Sequence, residues 1–508
     1  MSTATIRDSY QRLVELTRRR ALLSSCTSVL SWDRETYMPD GGTEHRANQL
    51  SLLAGLTHEW ATASELGDLL ASAQECGAGQ LTDDEMANVR EISRAYQRAT
   101  CLPQRLVEEQ ARVAALAQQH WAAARRSSRF GDFAPWLEQM VHLKREEAAA
   151  VGFERGGEPY DALLDEYEQG ARSENIASVF DRLRAELVPL LSAIQDSSSR
   201  PDASILHRHY PVDIQNQFCR QAASAIGFDF DSGRLDVTTH PFCSGFGPGD
   251  CRLTTRFDES HFSSAFFGTL HEAGHGIYEQ GLPVAAFGTP LGTAASLGIH
   301  ESQSRMWENL VGRSRGFWQH FYPIALQRFP DALSDVPESR FHAAINAVAP
   351  SFIRVEADEV TYNLHIMLRF DLERELIAGR LQPQDVPAAW NDRFTSDFGI
   401  TPPNDSQGCL QDIHWSAGLF GYFPTYTLGN LYAAQLFDTA EQAVGPLDEH
   451  FARGEFRPLL DWLRSNVHQH GHRFPPAELI KHVTGSPPSD ESLLQHLHRR
   501  FRPLYQLT

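Results

Sequence analysis

The sequence predicts a mainly helical protein, with one large helical body, a substrate groove and a small antiparallel β-sheet. Apolar residues recur with helical spacing along most of the chain, and only residues 203–257 are rich in β-branched residues and glycine. Apolar residues make up 42% and charged residues 22% of the 508 positions. This balance is typical of a globular protein with a large core.

The predicted helices are placed by capping residues and by apolar period. Thr82 and Glu85 form a capping box that opens a helix over 82–100. Pro103 opens the next helix, since the first turn tolerates proline. Further helices are predicted over 174–195, 262–280, 295–312, 352–378, 425–442, 446–465 and 489–503.

The sheet is predicted within residues 203–257. Two segments there, 203–212 and 234–257, combine β-branched residues with glycine and read ASILHRHYPV and RLDVTTHPFCSGFGPGDCRLTTRF. This composition favours short strands joined by tight turns. The sheet therefore directly precedes the helix predicted over 262–280.

Charge and cysteine content indicate where the protein works. The chain has 45 basic and 65 acidic residues, a net charge of −20, which repels nucleic acid and anionic lipid. Its seven cysteines are widely spaced and include no CxxC, which favours reduced thiols over a disulfide framework. We therefore expect a cytoplasmic protein that binds neither nucleic acid nor membrane.

One segment imitates a targeting signal. The run Arg18-Arg19-Arg20 precedes an apolar stretch, but an amphipathic run comes before it and no convincing small-residue cleavage site follows. Nor does any apolar run reach the ~18 residues that a membrane span needs. We expect this region to be part of the fold.

The segment from Gly268 to Leu282 contains the motif HExxH, formed by His271, Glu272 and His275. On a helix, positions i and i+4 share a face, so both imidazoles reach one metal and Glu272 can hold a water. Gly274 is expected to permit close packing of this helix. Because the motif also occurs by chance, the prediction needs a third ligand.

A catalytic zinc takes three protein ligands and keeps one position open. No third histidine follows at the HExxHxxGxxH spacing, whereas Glu301 follows His275 by 26 residues on the next predicted helix. Glycines and prolines between them turn the chain back. Glu308, two turns further along the same face, is the competing ligand. With Glu272 as the base, this set predicts peptide or amide hydrolysis.

Six motifs in a fixed order now resemble one family. They read HPF (240–242), DCRLT (250–254), HEAGH (271–275), HESQ (300–303), IRVEAD (353–358) and GCLQDIHW (408–415). They are similar to the motifs of the carboxypeptidase Taq family of metallocarboxypeptidases. Residues 31–59 and 158–170 are also similar to family segments, except that Gln169 stands where proline is expected.

The resemblance implies a mainly helical, commonly homodimeric carboxypeptidase of broad specificity that uses Zn2+ or Co2+. It acts on peptides with a free C-terminus. We expect residues 1–508 to form one catalytic unit, with an N-terminal helical part over about 1–200 and a metal-site part over about 201–508. The groove is expected to be closed by the sheet and the 352–378 helix.

Further roles follow from the resemblance. An exopeptidase needs a cation for the terminal carboxylate, and a guanidinium binds it bidentately, so Arg354 is favoured and Arg252 is second. Arg354 begins a predicted polar stripe on the 352–378 helix that continues through Asp358, Thr361 and His365. A solvated face, or a helical ion pair between Arg354 and Asp358, is the alternative.

The remaining motif residues are assigned more broadly. Asp358 and Asp412 are candidates for holding metal-bound imidazoles, with ordinary salt bridges as the alternative. His414, Tyr422 and Tyr426 resemble the donors that wider HExxH peptidases place beside the scissile carbonyl. A helical backbone would present both tyrosines on one side.

The strand motifs have two interpretations. An exposed strand edge at HPF and DCRLT would bind the peptide backbone and tolerate many side chains. Alternatively, Asp250 and Arg252 only lock the turn at Gly245–Gly249.

The leading prediction is a carboxypeptidase that hydrolyses the C-terminal peptide bond and releases single amino acids. A metallo-oligopeptidase or dipeptidyl carboxypeptidase with the same metal site is the alternative enzyme. A non-catalytic peptide-binding protein is the alternative of another class. Glu272 counts against it, because a structural metal site needs no base.

Overall fold

The structure, a computed structural model, describes residues 3–76 and 80–507, and helices dominate it. The first helices are α1 (Thr3–Thr36), α2 (Thr43–Ala61), α3 (Ser64–Cys76), α4 (Asp83–Cys101), α5 (Gln104–Ser127), α6 (Ala134–Val151), α7 (Pro159–Tyr167), α8 (Ser173–Asp196) and α9 (Val212–Ile226). Three strands follow, β1 (Gly233–Val237), β2 (Cys243–Gly247) and β3 (Asp250–Thr255).

The later helices begin directly after the strands. They are α10 (Phe262–Gly281), α11 (Leu297–Arg305), α12 (Arg315–Arg328), α13 (Pro330–Leu333), α14 (Glu338–Ile345), α15 (Thr361–Ala378), α16 (Val386–Phe398), α17 (Pro424–Val444), α18 (Leu447–Ala452), α19 (Arg457–Asn466), α20 (Pro476–Thr484) and α21 (Glu491–Leu504). The predicted mainly helical class is confirmed.

The chain divides into two compact units, each built from three segments. Unit 1 comprises Met1–Thr100, Asp202–Ile345 and Leu436–Pro487. Unit 2 comprises Cys101–Pro201, Asn346–Gln435 and Pro488–Thr508. The single catalytic unit predicted over 1–508, with parts at about 1–200 and 201–508, stays a prediction.

Local signals placed most helix starts correctly. At the capping box, the N–H of Thr82 donates to Glu85 Oε2 at 2.9 Å and the N–H of Glu85 donates to Thr82 Oγ1 at 3.3 Å. Pro103 directly precedes α5. The helix predicted over 446–465 is wrong, because Gly454 adopts a φ of +75° and separates α18 from α19.

The sheet is mixed, and the prediction of a wholly antiparallel sheet was wrong. The strand expected over 203–212 was also wrong, because Ala203–His207 forms a 3-10 turn and α9 begins at Val212. Its strand order is β1-β3-β2, with β2 antiparallel and β1 parallel to β3. Gly247 and Gly249 have positive φ and allow the tight turn that makes β2 and β3 antiparallel. The longer connection from β1 lets that strand pair with the other edge of β3.

Helix α10 packs against β3, α9 and α11 within unit 1. Phe262, Phe266 and Leu270 bury its apolar side. Gly276 lets the helix approach the sheet side, since an added Cβ would lie 2.6 Å from the ring of Phe228. The metal motif is thus carried by a rigid, packed helix.

The sequence predicted reduced cysteines and no membrane-spanning segment. The six cysteines whose side chains are described are free thiols, as predicted, while the side chain of Cys76 lies outside the described part. Within residues 3–76 and 80–507, no helix has the length and apolar character to cross a bilayer.

Candidate metal centre and substrate-binding residues

Two neighbouring helices of unit 1 carry the predicted metal ligands. His271 and His275 lie on α10, and Glu301 lies on α11. Gly274 lets these helices meet, because a Cβ added there would lie 2.6 Å from the carbonyl oxygen of Gln303. The predicted close packing at Gly274 is confirmed.

These three side chains, the metal cluster, fit a divalent ion. Their ligand atoms all lie within 4.8 Å of one another, and no other group of three or more such residues in the described chain does so. The Nε2 atoms of His271 and His275 lie 3.8 and 3.5 Å from Glu301 Oε2. Ligand atoms of a tetrahedral zinc with bonds of ~2.0–2.1 Å stand about 3.3 Å apart.

Each histidine of the metal cluster is held through its other ring nitrogen. Nδ1 of His271 lies 2.9 Å from Glu308 Oε2. Nδ1 of His275 lies 2.6 Å from Nδ1 of His300, whose Nε2 lies 2.8 Å from Glu279 Oε1. A ring that binds metal through Nε2 carries its proton on Nδ1 and donates it. His300 then accepts from His275 and donates to Glu279.

The place of Glu308 depends on a change of helix type. After α11 the segment Met306–Val311 is π-helical, and the N–H of Gly312 donates to the carbonyl of Trp307, five residues back, at 3.0 Å. The sequence predicted one continuous helix with Glu308 and Glu301 on the same face. The prediction of one continuous α-helix was therefore wrong. Glu308 still lies on the side of Glu301, since both carboxylates contact Arg305 and lie near the ring of His271.

Arg305 bridges the two carboxylates of this region. Its Nε lies 2.7 Å from Glu301 Oε1 and its Nη1 lies 3.2 Å from Glu308 Oε2. Burial raises the pKa of each carboxyl, but Arg305 and His271 outweigh it. The pKa of Glu301 falls well below its usual range and that of Glu308 falls to about 2. Both are therefore ionised, the state in which a carboxylate binds metal.

The two imidazoles respond differently to burial. Burial lowers the pKa of His275 to about 4, against the opposing effect of Glu301. Burial also acts to lower the pKa of His271, but Glu301 and Glu308 outweigh it and raise the pKa. His275 is thus neutral at neutral pH, and neutral imidazole is the form that binds a metal.

Glu272 has the proton affinity that a base near neutral pH needs. Its side chain is buried, at 7% exposure. Burial raises its pKa to about 7, with His271 opposing and Glu301 reinforcing the shift. A carboxyl with this pKa both accepts and releases a proton at neutral pH.

Arg252 already has its guanidinium occupied. Its Nε and Nη2 each lie 2.9 Å from an oxygen of Asp250, and the guanidinium stacks 4.3 Å over Trp32 and 4.7 Å over Phe246. Its capacity for bidentate binding is therefore used inside the β2–β3 turn. This favours the interpretation in which Asp250 and Arg252 lock the turn.

In unit 2, the helix predicted over 352–378 begins later than expected. Arg354–Glu356 forms one 3-10 turn, and α15 starts only at Thr361. Asp358 Oδ1 accepts from the N–H groups of Val360 and Thr361, each at 3.0 Å. A carboxylate here satisfies free N–H groups at the helix start, so the polar stripe predicted across this boundary was wrong.

Arg354, Arg369 and Asp412 form a second buried group, the arginine cluster. Arg354 lies with Nε and Nη2 at 3.0 and 2.8 Å from Asp412 Oδ1, and Arg369 Nε lies 2.7 Å from Oδ2. Arg354 also donates from Nη1 to the hydroxyl of Tyr362 at 3.1 Å. One carboxylate therefore serves two guanidiniums, which leaves an excess of positive charge.

The pKa shifts in the arginine cluster follow from burial and these pairings. Burial acts to lower the pKa of Arg354, but Asp412 outweighs it and raises the pKa well above its usual range. Burial acts to raise the pKa of Asp412, but the two guanidiniums hold it well below its usual range. Asp412 is occupied by arginines and Asp358 by backbone N–H groups, so neither holds an imidazole of the metal cluster as one interpretation expected.

The predicted oxyanion donors lie together near the arginine cluster. His414 Nε2 lies 3.4 Å from the hydroxyl of Tyr426. Burial lowers the pKa of His414 to about 3, with Asp412 opposing, so the imidazole is neutral. Tyr422 precedes α17, which begins at Pro424, so the two tyrosines do not share a helix as predicted. Their ring centroids are nevertheless 5.4 Å apart.

Three residues of these groups were not singled out from the sequence: Glu279, Arg305 and Arg369. Helical spacing would have found two of them, since Glu279 follows His275 by four residues and Arg305 follows Glu301 by four. Arg369 and its partner Asp412 are far apart in sequence, and no local pattern connects them.

Comparisons with known proteins point to one family. A profile described as carboxypeptidase Taq (M32) metallopeptidase matches residues 12–501. The chain is 48% identical over 507 residues to Thermostable carboxypeptidase 1 of Thermus thermophilus, covering 98% of this chain and 99% of that protein. It is 36% identical to Carboxypeptidase 1 of Bacillus subtilis, covering 97% and 98%. The crystal structure of an M32 carboxypeptidase from Deinococcus radiodurans matches with a TM-score of 0.95 and 39% identity, covering 98% and 100%.

Proposed function

The chain belongs to the carboxypeptidase Taq (M32) metallopeptidase family and is a metal-dependent carboxypeptidase. From this premise, we propose that it releases single amino acids from peptides with a free C-terminus. We propose Zn2+ as the metal, with Co2+ as the alternative. The observation that carries this function is the metal cluster, whose ligand atoms lie within 4.8 Å of one another, with the buried carboxyl of Glu272 next to His271 on the same helix.

His271, His275 and Glu301 would hold the metal. A zinc ion in such a site supplies Lewis acidity, which polarises a carbonyl and makes water a nucleophile near neutral pH. Glu272 accepts the proton of the attacking water and then delivers it to the leaving amine nitrogen.

The attacked carbonyl oxygen gains negative charge and needs a fixed donor. We assign this role to the group formed by His414, Tyr422 and Tyr426. Burial keeps the imidazole of His414 neutral, and its Nε2 lies 3.4 Å from the hydroxyl of Tyr426. A neutral donor pre-aimed at developing charge is the usual solution in acyl transfer, and losing one costs ~10²–10³ in rate.

Arg354 is the proposed partner of the terminal carboxylate. The arginine cluster supports this role, because two guanidiniums share one carboxylate and a second carboxylate would balance the charge. Arg252 is the weaker candidate, since Asp250 balances its charge one to one, whereas Arg354 shares Asp412 with Arg369.

The remaining proposals rest on the family resemblance and on composition. We propose a cytoplasmic homodimer whose partners are peptides, with no nucleic acid or membrane among them. The net charge of −20 supports the last point. Sedimentation at several concentrations tests the dimer, and cell fractionation tests the location.

The decisive experiment replaces the base and keeps the metal ligands. Glu272→Gln preserves shape but cannot take a proton, so kcat is expected to fall roughly 10²–10⁴-fold while metal content stays equimolar. Both are measured on the same preparation. Loss of metal from this variant would show that Glu272 is structural.

Product analysis separates the carboxypeptidase from its nearest alternative. A linear free-acid peptide is expected to shorten by one residue at a time from its C-terminus. Release of dipeptides, or cleavage of a cyclic peptide, would instead identify a dipeptidyl carboxypeptidase or an oligopeptidase.

A further inference from the structure

The run of three arginines on α1 takes up three different environments. Arg18 donates from Nη2 to the carbonyl of Ala285 at 2.8 Å, and Arg19 stacks over the ring of Trp60 at 5.5 Å. Arg20 is half-buried and, among residues 3–76 and 80–507, has no carboxylate partner; burial alone lowers its pKa. A cation partly removed from water without a counter-charge is unfavourable.

Arg20 lines a cavity of about 560 Å³ within unit 1. On the α1 side, Ser24 and Ser28 add hydroxyl groups. The loop between α10 and α11 supplies an apolar side that includes Val284 and Phe287. The size and the mixture of apolar surface with a few polar groups are typical of small-molecule sites.

The carboxylates around this cavity already have partners. Glu91 lies 2.6 Å from Nε of Arg90, and Glu279 lies 2.8 Å from Nε2 of His300. The guanidinium of Arg20 is therefore left without a compensating charge. None of the three metal ligands lines the cavity.

We propose that this cavity is a second ligand site, separate from the metal centre, which binds a small carboxylate through Arg20. A guanidinium pairs with both oxygens of a carboxylate, and the serine hydroxyls of α1 extend the polar side. The apolar side accommodates an aliphatic group, so an acylated amino acid is the chemical class that fits. This inference goes beyond the proposed function and does not depend on it.

The site also adjoins the metal centre through one residue. Glu279 lines the cavity and also accepts from His300, which contacts Nδ1 of His275. A ligand in the cavity is therefore expected to change turnover without competing with the peptide substrate.

The test uses N-acetyl-leucine as the probe and the full-length, metal-loaded protein. Calorimetric titration is expected to show two classes of sites, of which a peptide competitor removes one. Arg20→Gln should weaken the other class roughly 10- to 100-fold, because a charge-assisted hydrogen bond is lost. Arg19→Gln, the matched control, should leave the affinities of both classes of sites unchanged. Absence from the parent of a class that persists with the peptide competitor present, or an unchanged affinity of that class in Arg20→Gln, would overturn the proposal.

A second measurement needs no variant. Phenylglyoxal labelling of Arg20, mapped by mass spectrometry with the peptide competitor present, is expected to fall when N-acetyl-leucine is added. Labelling that N-acetyl-leucine does not change contradicts the site. Equal protection by inorganic phosphate at the same concentration contradicts the assignment to a carboxylate.

Discussion

The metal cluster in unit 1 and the arginine cluster in unit 2 have opposite arrangements of acidic and basic side chains. In unit 1, two carboxylates share the bridging guanidinium of Arg305. In unit 2, two guanidiniums share the carboxylate of Asp412. Glu308 also lies 3.8 Å from Arg313. Each group is buried, so water screens these charges only weakly.

This difference indicates which ligand each group takes. Carboxylates and imidazoles around one point favour a divalent cation. Two guanidiniums on a single carboxylate favour a further anion, such as the terminal carboxylate of a peptide. The following predictions test these two assignments, from the largest expected effect to the smallest.

Removing the carboxylate of the metal cluster should have the largest effect. In Glu301→Gln the site loses its only charged ligand, so bound metal should fall far below one equivalent and activity to background. Metal analysis after dialysis measures the bound metal, and a peptide hydrolysis assay measures the activity. A variant that keeps one equivalent of metal at parental affinity would move the third ligand elsewhere.

Arg354→Gln tests the arginine cluster. If Arg354 binds the terminal carboxylate, kcat/KM for free-acid peptides should fall roughly 10²–10³-fold, since breaking a desolvated charge pair costs ~3–5 kcal/mol. Amidated peptides, already poor substrates, should be almost unaffected. Comparing kcat/KM for matched acid and amide peptides measures the selectivity.

Two controls make that result interpretable. Arg369→Gln removes the other partner of Asp412, at 0% exposure, and should lower stability without selectivity for acids. Arg252→Gln should also lack selectivity. Equal losses on acid and amide peptides in Arg354→Gln would mean that it only supports the fold. A selective loss confined to Arg252→Gln would transfer the role to that residue.

Glu373, beside the arginine cluster, should make stability depend on pH. It accepts from Tyr160, Trp415 and Gly421, yet burial raises its pKa from 4.5 to about 7. The folded state thus binds more protons between pH 4.5 and 7, so its stabilising contribution is present below this window and is lost as pH rises through it. The loss is on the order of 3 kcal/mol at most.

Glu373→Gln isolates this effect. Urea unfolding of parent and variant at pH 5 and pH 8 should show a steeper decline of the unfolding free energy in the parent. Parallel declines would show that Glu373 is ionised throughout, and the arginine cluster would then have no excess positive charge to offer a substrate.

The residues that orient the two histidines should have the smallest effect. Glu308→Gln should weaken metal affinity roughly 10–100-fold, because the carboxylate contacts the ligand His271 directly. Glu279→Gln should weaken it less, because His300 stands between Glu279 and His275. Competition with a chelator gives both affinities. The reverse order would contradict the orientation described for the two rings.

The metal centre was largely predictable because its geometry is local. HExxH needs only the α-helical period to place two imidazoles on one face, and Gly274 marks the close approach of the next helix. The same logic placed Glu308 on the side of Glu301 but missed the π-helical segment that carries it. Asp358 was misplaced for a related reason. It follows Arg354 by four residues, and this spacing fits a helical ion pair as well as a carboxylate that caps the start of the next helix.

What the sequence determined by itself was the helical class, the three residues of the metal cluster and the likeness to one family, because these depend on spacing within single segments and on ordered motifs. Only the tertiary structure decided which charges share a partner. Arg369 contacts Asp412, and Arg20 contacts no acid within residues 3–76 and 80–507, because the packing of segments distant in sequence sets those distances. Contacts between segments distant in sequence produce no periodic pattern in a single sequence. The charged neighbours of a site can therefore be identified only from the tertiary structure.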